Sequence, residues 1–315
     1  MARGIHFKRS EPVDNTGLSS SRNGHKSRFV NQDGTYNIRK KGAGLFSRYS
    51  VYHFLINLSA LKFAFLIFGF YTFINFLFAG IYYFFCIEHL LGIVVGTPLE
   101  TFEEAYFFSS QTLTTVGYGR ISPVGLVTNT VASFEALIGI LTLAIITGLL
   151  YGRFVKPKAY VRFSKQALIA PFKGGKALMF RLMPIKNARL SDVLVHLTLG
   201  LMVEENGQKQ LRYFTLPLQF NTINSLILNW TVVHPIDDKS PLWGLEMEDF
   251  VAADFELMVY LKAFDEDFSN TVIARTGYTY KELISNAKFD PMFYEDESTS
   301  TTVIDLNKLS DFTKL

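Results

Sequence analysis

Residues 102–119 read FEEAYFFSSQTLTTVGYG, a short apolar segment that runs straight into the pentapeptide Thr115-Val116-Gly117-Tyr118-Gly119. The segment is too short to cross a bilayer, and the two glycines permit backbone angles that side chains resist. A long apolar stretch lies on either side. Residues 63–85 (FAFLIFGFYTFINFLFAGIYYFF) carry no charge, and residues 124–152 carry one, Glu135. About 20 apolar residues span a hydrocarbon core, so both stretches are expected to be transmembrane helices rather than buried helices of a soluble fold. A half-length helix followed by extended backbone is tolerated at membrane depth only where it lines a watery path.

Carbonyls from four copies of such a loop can replace the water shell of a potassium ion. Ion contact is therefore assigned to the filter Thr115, Val116, Gly117, Tyr118 and Gly119. Potassium meets the carbonyls of the first four and, at the inner end, the Thr115 hydroxyl, while the Tyr118 ring packs outward. One chain supplies one wall, so a homotetramer is expected. Potassium enters as permeant ion, and no cofactor is expected. A dinucleotide cradle is excluded, because GxGxxG must open a helix and this segment continues as Arg120-Ile121-Ser122.

Charge sets the expected topology. Arg39, Lys40, Lys41 and Arg48 precede the first span, and Arg153, Lys156, Lys158, Arg162 and Lys165 follow the second. The connection between them holds Arg120 against Glu88, Glu100, Glu103 and Glu104. The positive-inside rule then places both termini in the cytoplasm of a multi-pass inner-membrane protein. A cleavable leader is not expected, since the first 50 residues are polar. A net charge of +3 demands no nucleic-acid partner. The lone Cys86 rules out an intrachain disulfide and reads as a small apolar filler at a helix end.

Residues 1–44 read as a flexible arm and 45–62 as a helix lying at the membrane surface, with Phe46, Tyr49, Phe54, Leu58 and Leu61 broadly on one side. Residues 63–155 form the two-span pore domain. Residues 156–315 are β-rich: Ala177–Leu182, Val193–Val203, Leu211–Phe220, Ser225–Val233, Phe255–Phe264 and a last strand at Thr302–Leu306 are spaced like an all-β sandwich. A short helix is expected at Met247–Ala253.

Beyond the filter, residues 152–158 (GRFVKPK), 171–182 (PFKGGKALMFRL), 234–244 (HPIDDKSPLWG) and 254–283 resemble successive landmarks of the inward-rectifier potassium channel family, most of all its prokaryotic branch. The resemblance implies a two-span α-helical pore domain with a cytoplasmic, immunoglobulin-like β-sandwich. It implies a bulky gate residue at Tyr151 and a loop narrowing the cytoplasmic pore at Ser269, Asn270, Thr271, Val272, Ile273 and Ala274. The family's rectifying acid falls on Leu143, which attracts no cation, so magnesium and polyamines are expected to be weak blockers. Leu143 and Thr147 read as cavity positions. Glu135 has two readings, one facing the cavity and one bonded behind the pore helix. Lys62, Arg153, Lys156 and Lys158 are expected to attract anionic lipid, including phosphoinositide head groups. Arg120 at the outer mouth is expected to pair with Glu103 or Glu104.

A voltage-sensing span with arginine at every third position does not occur in the sequence. An enzyme is not expected either: neither HExxH nor GxSxG occurs.

Overall fold

The computed structural model describes residues 12–13, 17, 28–39, 41–42, 50–155, 159–205, 208–298 and 300–315. The chain divides into two compact units, residues 41–156 and residues 157–315 together with 1–40.

The first unit is helical. Helix α1, Val51–Asn57, is capped by Ser50 and ends at Leu58, whose backbone is not helical. Ser59 then caps α2, Ala60–Ile81, by accepting from the Lys62 amide. The surface helix expected over 45–62 is therefore interrupted within its span: residues 43–49 lie outside the described residues, and Lys62 belongs to the first turn of α2. A π-helical turn at Tyr82–Cys86 and a 3-10 turn at Ile87–His89 continue α2. Cys86 is buried beside Tyr82 and Phe108.

Helix α3, Pro98–Leu113, starts on a capping box in which the Thr97 and Glu100 side chains and backbones bond reciprocally, with Pro98 at the first turn. Strands β1 (Leu90–Leu91) and β2 (Ser122–Pro123) pair and close the connection. Helix α4, Leu126–Phe154, is 29 residues long, so it rises about 43 Å. In the apolar windows of α2 with its extension and of α4, only 17% and 11% of residues are buried. Core helices of a soluble protein would hide most of that surface. These helices need an apolar solvent.

The second unit is a sandwich. One sheet has the order β11-β10-β6-β7, from Asn270–Thr279, Glu256–Asp265, Leu190–Glu205 and Gln208–Leu216, with β8 (Thr222–Leu226) also on β6. The other has the order β12-β4-β5-β3, from Leu283–Ser285, Ala167–Phe172, Gly175–Pro184 and Val161–Phe163, with β9 (Trp230–Ile236) on β5. Val193, Val195, Leu197, Leu199, Leu201 and Val203 are buried at every second position of β6, the period of a strand with one face inward. They meet Leu178, Phe180 and Leu182 in one core. The helix expected at Met247–Ala253 is α5, Met247–Ala252. Within the 234–244 landmark, His234 is buried with its Nδ1 2.6 Å from the Pro217 carbonyl and its Nε2 2.8 Å from the Ser240 hydroxyl. Nδ1 must donate there, so Nε2 accepts.

Several sequence expectations need correction. Ser225–Val233 is not one strand: a turn splits it, and β8 and β9 go to opposite sheets. The strand at Thr302–Leu306 spans Thr301–Ile304 (β15), pairs with Phe293–Asp296 (β14) and is not last; Phe312–Lys314 (β16) follows on Ala287–Phe289 (β13). Residues 28–39 are no flexible arm. Val30 bridges Tyr36 across a turn, and its side chain is buried against Leu211, Tyr213 and Met258. The amides of Phe29 and Val30 donate to Glu256 Oε1, and Arg28 pairs with Glu282. Gly277 lies so close to this strap that a Cβ would fall 2.3 Å from the Val30 carbonyl oxygen.

Candidate functional site: the filter and its frame

The end of α3 delivers the pentapeptide. Thr114 closes the last α-turn onto Ser110, and the Gln111 carbonyl then accepts two amides, Val116 at 3.0 Å and Gly117 at 3.3 Å. From there the backbone alternates. Thr115, Gly117 and Gly119 have φ of +60°, +55° and +78°, while Val116 and Tyr118 stay outside the positive region. A strand with uniform angles points successive carbonyls to opposite sides. Alternating hand turns them toward one side, the arrangement an ion-lined wall needs. A Cβ on Gly117 or Gly119 would meet nothing within 4 Å. Within the single chain the angle, not crowding, calls for glycine there. Thr115 is β-branched at positive φ, a strained position that only its surroundings hold. In the single chain Val116 is 54% and Tyr118 80% exposed, so one wall encloses nothing.

Just beyond, Arg120 bonds Glu104 at 2.6 Å, with the arginine half exposed. Such a pair contributes at most about 1 kcal/mol, but it draws positive charge away from the filter exit. Of the two partners expected, Glu104 is the one used.

Glu135 does not face an open path. It is fully buried, accepting from the Tyr82 hydroxyl at 2.7 Å and from the Ser109 hydroxyl on α3. The cavity reading is thus corrected in favour of the bonded one. Leu143, Thr147 and Tyr151 instead recur every four residues on α4 and are all exposed in the single chain, Leu143 at 67% and Tyr151 at 70%. The Thr147 hydroxyl is engaged on its own helix, 2.8 Å from the Leu143 carbonyl.

Known proteins match both units. A model described as inward rectifier potassium channel C-terminal domain matches residues 161–315, and an ion channel model matches residues 63–156. The inward rectifier potassium channel Kirbac3.1 of Paramagnetospirillum magnetotacticum is 35% identical over 277 residues, covering 85% of this chain and 90% of its own. The chain belongs to the inward rectifier potassium channel family. Inward rectifier potassium channel 18 of Homo sapiens and inward rectifier potassium channel 4 of Mesocricetus auratus are each 26% identical, over 62% and 68% of this chain. The match spans 48% of each of those two proteins. Like its relatives, this inward rectifier is a membrane potassium channel, with the pentapeptide between its two apolar helices.

Other positions of this family member behave less simply. Arg153, expected at lipid, turns inward: its guanidinium donates to the Leu55, Ile56 and Leu58 carbonyls at 2.9, 3.3 and 2.8 Å and lies 4.5 Å above the Phe63 ring. It caps the C-terminal end of α1, where carbonyls lack partners. Lys62 is exposed, and Lys156 and Lys158 lie outside the described residues. The segment expected as a loop is a hairpin arm. Only Ser269, at φ +48°, belongs to the turn, while Asn270, Thr271, Val272, Ile273 and Ala274 pair in β11 with β10. The Asp265 carboxylate accepts the Asp267 and Phe268 amides and shapes the turn. The bond from Arg189 holds Asp267 below the usual carboxylate range.

The sequence reading missed two structural roles, the Arg153 cap and the strap at 28–39. The first had no local signal. The second had one, the turn dipeptide Asp33-Gly34 in the stretch from Val30 to Tyr36.

Proposed function

We propose that four copies of this chain surround one axis and conduct potassium through the filter, passively and without a cofactor. The alternating hand of Thr115, Gly117 and Gly119 carries the reading, because alternation of this kind favours successive carbonyls on one side. Both termini lie in the cytoplasm, as the basic flanks of the spans favour. Tyr151, one turn below Thr147, supplies the ring that closes the path by dewetting. Leu143 offers magnesium or polyamines no carboxylate, so block from that side is weak. Anionic head groups, phosphoinositides included, are drawn by Lys62, Lys156 and Lys158, each worth about 1 kcal/mol near a charged leaflet. Arg153 acts within the chain, through α1.

Purified protein in liposomes tests this. Native mass should give a tetramer, and flux should favour potassium strongly over sodium. A stable monomer, or equal flux of the two ions with the glycines intact, refutes the proposal.

A further inference from the structure

Glu135 uses both carboxylate oxygens. Oε2 accepts from Tyr82, on the turn that continues α2, and Oε1 accepts from Ser109 on α3. Ser109 Oγ also lies 3.2 Å from Asn75 Oδ1 on α2. Asn75, Tyr82, Ser109 and Glu135 are all fully buried within the single chain. One carboxylate therefore ties three helical elements together. The place where it holds α3 matters. Ser109 stands two residues before Gln111, whose carbonyl anchors the Val116 and Gly117 amides. One turn beyond Glu135, Gly139 approaches so closely that a Cβ would fall 1.9 Å from the Leu113 carbonyl oxygen. Glu135 and Gly139 share a face of α4 and together bear on the last two turns of α3. From α2, the Tyr71 hydroxyl meets Ser110 Oγ at 2.6 Å.

We infer that Glu135 is a positioning residue for the filter. Through Ser109 and Tyr82 it fixes the rotation and depth of the C-terminal end of α3, and through Gln111 the register of the carbonyls. It does not touch the ion. An apolar side chain would fill the same space but take the acceptor from the buried Tyr82 hydroxyl and leave Ser109 only Asn75 to donate to, so the end of α3 would be free to shift. Binding groups must be held within about 0.5 Å of their productive geometry, so a shift of that size at the end of α3 reaches the carbonyls. The inference rests on potassium conduction through the filter.

The test compares wild type, Glu135→Gln and Glu135→Leu in liposomes, reading the potassium-to-sodium permeability ratio from bi-ionic reversal potentials and tetramer content alongside. Gln keeps one acceptor oxygen, and Ser109 can turn its proton to Asn75 and accept from the amide. The expected ratio for Glu135→Gln is within about twofold of wild type, and for Glu135→Leu about tenfold lower in an intact tetramer. An assembled Glu135→Leu protein with the wild-type ratio overturns the inference. If Glu135→Leu does not assemble, Ser109→Ala and Tyr82→Phe remove one donor each and leave the carboxylate. Both should lower the ratio, and their combination should fall short of additivity. An unchanged ratio in both overturns it. A wild type that fails to discriminate the ions refutes the channel reading itself, independently of any variant.

Discussion

Gly117→Ala separates backbone angle from space. A methyl at Gly117 meets nothing within 4 Å, and the same holds at Gly69 within α2. The two sites differ in φ: +55° at Gly117, helical at Gly69. An L residue in the left-handed region costs roughly 1–2 kcal/mol. In the proposed tetramer, four copies therefore accumulate about 4–8 kcal/mol of strain in the filter. The inexpensive relief is to turn the peptide plane, which takes the carbonyl off the wall. At Gly69 the same methyl lowers chain entropy in the unfolded state and stabilises the helix by about 0.5–1 kcal/mol. Both variants are reconstituted and their bi-ionic reversal potentials measured. Gly69→Ala should match wild type, and Gly117→Ala should lose at least about tenfold in potassium-over-sodium permeability, equivalent to 1.4 kcal/mol. An unchanged ratio in Gly117→Ala, or an equal loss in Gly69→Ala, refutes the claim that φ is what the glycine supplies.

Gly277→Ala places a methyl 2.3 Å from the Val30 carbonyl oxygen, so the strap must lift; overpacking of this kind costs about 1–3 kcal/mol. Amide exchange at Phe29 and Val30 should accelerate while exchange in β6 stays slow. Arg153→Ala leaves the Leu55, Ile56 and Leu58 carbonyls without their donor, a loss of about 1.5–3 kcal/mol for hydrogen bonds from a charged group; spin labels on α1 should become more mobile, and unchanged mobility would remove Arg153 from that role. Burial alone would raise Glu282, but bonds from Thr279 and the Arg28 guanidinium outweigh it and hold the carboxyl below its ordinary value. A depressed folded value means this support is fully present above the unfolded pKa of about 4.3 and fades as pH falls through the folded one. The protection factors of the strap amides should therefore fall on acidification through that window, and Glu282→Gln should remove most of the dependence.

The sequence made legible what periodicity and length control. Two uncharged or nearly uncharged runs, a half-length apolar segment and a glycine-spaced pentapeptide require no tertiary information, and each corresponds to an element with ends shifted by a few residues. The alternation in β6 is equally direct. What stayed hidden depends on partners far along the chain. Asn270–Ala274 reads as a loop only through the family resemblance, yet its five register pairs with β10 make it a strand. Ser225–Val233 looked continuous because its apolar character continues through a turn that only the two sheets reveal. Arg153 sits among basic residues that suit a membrane surface, and nothing nearby in sequence announces the carbonyls it caps. Thr115 carries a side chain that disfavours its own backbone angle, so propensity argues against the conformation observed.

Helix α4 also explains why Glu135 could not be placed from spacing alone. At 100° per residue, Leu143 lies about 80° around the helix from Glu135, Thr147 about 120° and Tyr151 about 160°. An offset of 80° is compatible with sharing a face or leaving it. The structure decides through Gly139, about 40° from Glu135 and pressed on Leu113. That contact makes the Glu135 side of α4 the one that holds α3. The stripe through Leu143, Thr147 and Tyr151 then turns progressively away from it, toward the side the single chain leaves open. A helix with one locked side and one free side holds Glu135 among the bonds behind α3 and leaves Tyr151 exposed in the single chain. An intramembrane acid and an exposed aromatic therefore share one helix without sharing an environment.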